Sequence, residues 1–300
     1  MRLFIPTLLL LALAVTACTS MYETGSDSRT EWKLVPVDGA NSSADELAPV
    51  PSSHGLYFTS NREVGGDELD RLYLLPFGAT TSADVKRVRS STEDIKAGAM
   101  ALRAGRDAAL FYVECYRADG IGDCDLVEGH LSTDGLSVAQ TTVLPAPLND
   151  VEWDHHPTLS RDGKVLVFAS ERFGGHGGSD LWMSKAGGGG WETPVNLGSQ
   201  INTSGNEITP CLSPDGQELY FASDALPGRG GFDIFVTKLA AGKWSTPEPL
   251  GMPFNSGDDD IFFNGTVSSD TIYFASNRDG GKGGFDLYRA ARKVAPPPPP

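Results

Sequence analysis

The chain has 300 residues, of which 40% are hydrophobic, and a formal charge of −15. That size and composition fit one globular domain with a full core. The excess of acid argues against nucleic acid or anionic lipid headgroups as partners.

At the front, Met1-Arg2 precedes an apolar run from Leu3 to Val15 that ends in Val15-Thr16-Ala17-Cys18. The run is too short to span a bilayer comfortably and reads as a signal peptide over residues 1–17. Its V-T-A-C ending resembles the bacterial lipobox, in which the cysteine becomes the lipidated N-terminus. The resemblance implies lipidation at Cys18. Thr19 and Ser20 follow, with no aspartate at the inner-membrane retention position, so an outer-membrane anchor facing the periplasm is expected. Several acyl chains anchor stably where one would be marginal. Residues 18–30 contain little that could pack and are predicted to form a flexible tether.

Residues 31–293 are repetitive. Phe58, Phe111, Phe168, Phe221 and Phe274 recur at spacings of 53, 57, 53 and 53 within the phrases LYFTSNR, LFYVECY, LVFASER, LYFASDA and IYFASNR. A second marker keeps step, with Asp70, Asp180, Asp233 and Asp286 each 12 residues on and Asp125 14 residues on. Each unit contains short β-branched and aromatic runs cut by turns, most clearly Pro214-Asp215-Gly216, Gly228 to Gly231 and Ala241-Gly242 in the fourth. Four strands in a unit of about 50 residues make a propeller blade. The second unit lacks the Asp-Gly turn and the double-glycine loop.

The ends decide the closure. Trp191 and Trp244 open the last strand of the third and fourth units, but the fifth stops at Lys293 without one, and TEWKLVPVDG places Trp32 in a matching phrase before the first unit. The prediction is therefore an all-β, five-bladed propeller of four-stranded blades, closed by an N-terminal strand that completes the last blade. Residues 294–300, with prolines from Pro296 on, are expected to be an extended tail or linker.

Three sets of residues are candidates for chemistry or cross-linking. Cys115 and Cys124 flank the hairpin of the second unit and can form a disulfide in an oxidising compartment, or remain two free thiols. Cys211, at the place Thr158 takes in the preceding unit, reads as a small buried residue. The aspartates of the GGFDIF and GGFDLY phrases follow glycine loops, where a carboxylate accepts backbone amide hydrogens, an architectural role.

A further acidic series opens the innermost strands: Glu46, Asp154, Glu207 and, in the fifth unit, Asp260 with Asp258 and Asp259 beside it. The second unit offers only Glu93 and Asp94 nearby. Innermost strands line an axial channel, so these carboxylates are expected to gather at one mouth, with His155 and His156 beside them. There they would either bind a hard cation such as Ca2+ or remain solvated surface. No other cofactor is expected.

The phrases SPDGQELYFASD and SNRDGGKGGFDLY resemble TolB-type β-propeller repeats of bacterial envelope proteins, often found beside OmpA-like peptidoglycan-binding domains. The resemblance covers residues 32–293 and implies a non-catalytic, lipid-anchored scaffold that binds envelope or peptidoglycan-associated proteins through the propeller faces. The alternative is a glycan-hydrolysing enzyme, since five-bladed propellers include glycoside hydrolases that use paired carboxylates. A catalytic site breaks repeat symmetry, whereas these acids follow it, and neither G-x-S-x-G nor HExxH occurs.

Overall fold

A computed structural model describes residues 30–62, 70–90, 97–102, 109–115, 120–268 and 270–294. Residues 32–292 form one compact unit; of the remaining residues, 1–31 and 293–300, only Thr30, Glu31, Lys293 and Val294 are described. The signal peptide, Cys18, Glu93, Asp94 and the proline run lie outside the described residues.

The described strands make five antiparallel-based sheets, the blades of a β-propeller. The inner three strands of the first blade are Glu46–Pro51, Gly55–Ser60 and Arg71–Pro76, and Lys86–Arg87 is its outer strand. Those of the second are Ala97–Leu102, Ala109–Cys115 and Cys124–Leu131, with Ser137–Val143 outside them and Arg89–Ser90 added in parallel. The third and fourth blades run Asp154–Leu159, Val165–Ser170, Asp180–Gly187 and Glu207–Leu212, Glu218–Ser223, Asp233–Ala240. Their outer strands are each broken into two short pieces. The fifth runs Asp260–Ser268, Thr271–Ser276, Asp286–Val294, and its outer strand is Thr30–Pro36, from the front of the chain. That pairing closes the ring, as the Trp32 phrase predicts, and leaves no blade with an open flank there. Beside it Trp32 packs edge-on against Phe254, ring centroids 5.3 Å apart, and the Arg292 guanidinium lies 5.0 Å over its face.

The core divides into five clusters, each between neighbouring blades. Phe58 packs with Leu287 and Ala275 of the fifth blade, Phe168 with Leu126 and Val113 of the second, Phe221 with Val167 and Leu181 of the third, and Phe274 with Ile234 of the fourth. A recurrent aromatic ring at each of these junctions thus adds to the apolar burial that holds adjacent sheets face to face.

Registers correct two positions of the repeat. In the second blade the register position of the repeat's aromatic falls on Tyr112, wholly buried against Tyr57, Leu72 and Leu74 of the first blade. Tyr112 stands opposite Val127, two residues past Asp125, as Phe168 stands opposite Trp182, two past Asp180. The phrase LFYVECY presents two adjacent aromatics, and spacing alone selects the wrong one. In the first blade Ser60 pairs with Arg71, where Ser170, Ser223 and Ser276 pair with Asp180, Asp233 and Asp286. Arg71 therefore occupies the aspartate position, and the exposed Asp70 sits one residue outside the ladder.

Candidate functional site

The loop aspartates perform the architectural task expected of them. Asp125 accepts the amides of Ile121 and Gly122, Asp180 those of His176 and Gly177, Asp233 those of Arg229 and Gly230, and Asp286 those of Lys282 and Gly283. The next residue is tied across to the following outer connection: the amides of Leu126, Leu181, Ile234 and Leu287 donate to the side-chain oxygens of Asn149, Asn202, Asn255 and Asn41. Each of these amides is thereby paired, as a β-rich core requires, while Asp233 Oδ1 and Asp286 Oδ1 are buried without a hydrogen-bond partner among the described residues.

The inner-strand acids do not gather at a solvent-filled mouth. Glu46, Asp154, Glu207 and Asp260 are each 0% exposed and each is consumed by its own blade. They stand opposite Ser60, Ser170, Ser223 and Ser276 and accept the amide four residues before them, from Ser42, Asp150, Thr203 and Ser256. In three blades an arginine two residues past the serine completes the cluster. Arg62 reaches Glu46 at 2.9 Å, and Arg172 and Arg278 reach Asp154 and Asp260 at 2.6 Å. Each guanidinium also donates to backbone carbonyls and stacks about 5 Å over two rings, Phe168 and Trp182 in the case of Arg172. A planar fork of five donors suits this buried, multiply bonded position as lysine would not.

The fourth blade has Ala225 in place of that arginine, so Glu207 relies on the Thr203 amide and hydroxyl and the Ser223 hydroxyl. Burial pushes its carboxyl up. Burial also raises the Asp154 carboxyl, with the Arg172 guanidinium pulling the other way. Among the described residues no group of three or more His, Cys, Asp or Glu is placed to hold a metal ion. The placement of Glu46, Asp154, Glu207 and Asp260 is thus corrected: burial and separate partners replace the expected shared mouth.

The axial space lies further along the same strands. Two residues past each acid, Ala48, His156, Thr209 and Phe262 adopt left-handed backbone with φ of 50° to 56°, at a bulge where the ladder register shifts. There a cavity of about 520 Å³ is lined by all five inner strands and by the turns beyond them. Its walls are mostly apolar, including Val50, Met100, Leu212 and Phe263, with polar groups from His54, His156, Arg161, Thr209, Cys211 and Asn264. No aspartate or glutamate is among the described residues that line it. Such a pocket, apolar with a few polar groups, is the usual form of a ligand site.

The histidines divide between two environments. His156 faces the cavity and packs edge-on against Phe262 at 5.0 Å. His155 turns outward to the Ser179 hydroxyl at 2.7 Å, and its Nδ1 lies 2.7 Å from the Nδ1 of His156. Two ring nitrogens that close admit only one proton between them. Burial lowers both imidazoles, His155 to about 4. The Cys211 thiol, buried on the cavity wall, is pushed up to about 12, which makes it a poor nucleophile. Cys115 and Cys124 are joined in a disulfide at directly opposed positions of the second blade. The cavity lining could not be read from composition. The recurrent pair of positions after the acid, Ala48-Pro49, His156-Pro157 and Thr209-Pro210, was the available signal.

No protein-family model matches the sequence, and neither does any curated protein. Solved structures similar to it include the catalytic domain of a GH62 α-L-arabinofuranosidase from Coprinopsis cinerea (11% identity, 88% of this chain and 98% of that one, TM-score 0.57). A thermostable family-43 glycoside hydrolase is also similar (14% identity, 88% and 97%, TM-score 0.54). TolB from Acinetobacter baumannii aligns at 13% identity over 83% of this chain and 55% of that one, with a TM-score of 0.46, so this chain spans about half of that protein. At such identities the likeness is one of fold alone, and for the two glycosidases it runs over nearly the whole of both chains.

Proposed function

We propose that this protein is a non-catalytic, lipid-anchored scaffold of the bacterial cell envelope that binds protein partners, peptidoglycan-associated ones among them, through the faces of its propeller. The observation that carries the reading is the separation of acid from cavity. Hydrolysis of a glycosidic bond needs two carboxyl groups a few ångströms apart at the substrate. Here the four inner-strand acids are buried in their own blades, and the described residues lining the axial cavity include no carboxylate. The sequence Val15-Thr16-Ala17-Cys18 supports the lipid anchor and the outer-membrane location. Two measurements test the reading. Cys18→Ser should shift the protein from the carbonate-washed membrane fraction to the soluble periplasmic fraction, and its retention in the membrane would remove the anchor. Turnover of arabino-oligosaccharides by the purified domain would overturn the non-catalytic assignment.

A further inference from the structure

Because each blade repeats the same registers, every position has internal counterparts against which a departure stands out. On the face that carries the buried acids, three blades share one device. Asp45 and Asp259, each just before the inner acid, exchange paired hydrogen bonds with Asn61 and Asn277 of the second strand's end, and Asn206, at the same position, donates two to Asp224. Each also accepts an amide from the preceding blade, from Phe285, Ser179 and Phe232. The device clips neighbouring blades together.

At the junction of the second and third blades it is missing. Trp153 and Glu171 occupy the two positions, and only the backbone bond remains, from the Glu171 amide to the Trp153 carbonyl at 3.1 Å. Two more positions change there in the same direction. Val151 replaces Ser43, Ser204 and Gly257, and Ile121 replaces His176, Arg229 and Lys282. These side chains face solvent: Ile121 and Trp153 are 41% exposed and Val151 is 69% exposed. The loops are contiguous, since a β-carbon on Gly122 would lie 2.6 Å from the Glu152 carbonyl oxygen. The counterparts show that the fold needs no apolar residue at these places, so their joint appearance at one junction calls for something that covers them.

The charge around the patch selects the occupant. Asp123, Glu152 and Glu171 are exposed carboxylates within it. A second copy of a chain carrying −15, or an anionic bilayer, would be repelled. The geometry points to a docking surface, at Ile121, Val151 and Trp153, for a polypeptide segment that presents aliphatic or aromatic side chains flanked by lysine or arginine. Large apolar anchors with a charged rim are the form protein-binding hot spots take. This inference rests on the scaffold reading and gives that reading a place on the molecule.

The test is selection of a displayed library of random short peptides on the wild-type domain, followed by binding measurements with the selected peptides. Sequences combining apolar residues with Lys or Arg are expected, binding at least about tenfold more weakly to Val151→Ser/Trp153→Asp. That variant installs residue types the other blades already carry, so its thermal transition should match the wild type. A second variant, Glu152→Lys/Glu171→Lys, keeps the apolar anchors and should weaken the same peptides. Selected peptides that are acidic, or that bind Val151→Ser/Trp153→Asp as tightly as wild type, would overturn the patch while leaving a scaffold that binds elsewhere. A concentration-dependent dimer in sedimentation, abolished by Val151→Ser/Trp153→Asp, would give the patch to a second copy and overturn the peptide assignment. Glycan turnover with peptide binding intact would instead overturn the non-catalytic reading and spare the patch.

Discussion

Glu114 stands opposite Ala97 across the second blade, at the register where each of the other four blades sets a serine opposite an acid. The carboxylate has crossed the ladder: Ala97 takes the acid's position on the inner strand and Glu114 the serine's on the next. Glu114 is buried and its partners include the Tyr112 hydroxyl at 3.4 Å. Glu114→Ser should therefore destabilise the domain by about 1–3 kcal/mol, the usual effect of breaking a buried polar network. Adding Ala97→Glu, which restores the order of the other blades, should recover most of it. Denaturant midpoints of the single and double variants check this, and no recovery in the double would mean that the two positions do not substitute for each other.

Arg172→Ala should be among the most damaging single changes. It removes the 2.6 Å bond to Asp154, leaves that wholly buried carboxylate without its cation, and exposes the faces of Phe168 and Trp182. The expected loss is about 3–5 kcal/mol. The double variant Arg172→Met/Asp154→Asn should be more stable than Arg172→Ala, because no unpaired buried charge remains. Urea unfolding measures both, and a double variant no better than the single would show that stacking, and not charge, dominates.

The His155/His156 pair and Glu207 drive stability in opposite directions with pH. A histidine whose folded pKa is depressed to about 4, below the ordinary 6.5, stabilises the fold above its unfolded pKa, and that contribution is lost as pH falls toward 4. A glutamate whose folded pKa is raised contributes stability that is present at low pH and lost as pH rises through the folded value. His155→Asn/His156→Asn should thus lose less stability than wild type between pH 6.5 and 4. Glu207→Gln should gain on wild type as pH rises from 4 to 7. Melting temperatures across that range read both differences, and parallel curves for wild type and either variant would dismiss the group concerned.

Removing residues 31–38 deletes the outer strand of the fifth blade together with the Trp32 packing on Phe254 and Arg292. A loss of several kcal/mol with aggregation through the exposed edge is expected, and the point variant Trp32→Ala should cost about 3 kcal/mol without opening the edge. Light scattering separates the two. A deletion that stays monomeric with an unchanged melting temperature would show that the strand does not close the ring.

Much of the fold was legible because one aromatic and one aspartate recur in phase and turn chemistry marks the strand ends. The slips came from counting in places where only hydrogen bonds resolve the register. Phe111 and Tyr112 are adjacent and both aromatic, and the ladder to Val127 picks Tyr112. Asp70 and Arg71 are adjacent and both charged, and the ladder to Ser60 picks Arg71. The acids were found in sequence but misplaced in space, because residue type does not say whether a carboxylate at the head of a strand meets solvent or an arginine two residues beyond a serine. Trp153 and Val151 were invisible as a departure until registers fixed their counterparts, since their phrase VEWDHHP shares only the acid and the proline with SADELAP and SGNEITP.

The left-handed residue in the inner strands carries a further implication. Ala48, His156, Thr209 and Phe262 hold nearly one backbone conformation although their side chains share neither size nor polarity, and each accepts a backbone state that costs an ordinary residue about 1–2 kcal/mol. The same bulge accommodates all four side chains, whatever each of them touches. The acid clusters before the bulge and the cavity wall after it are therefore free to diverge separately. A propeller arranged this way can acquire a new ligand preference one blade at a time, by single codon changes at four places, while the arginine-acid clusters and the end-to-end pairing of the fifth blade stay as they are.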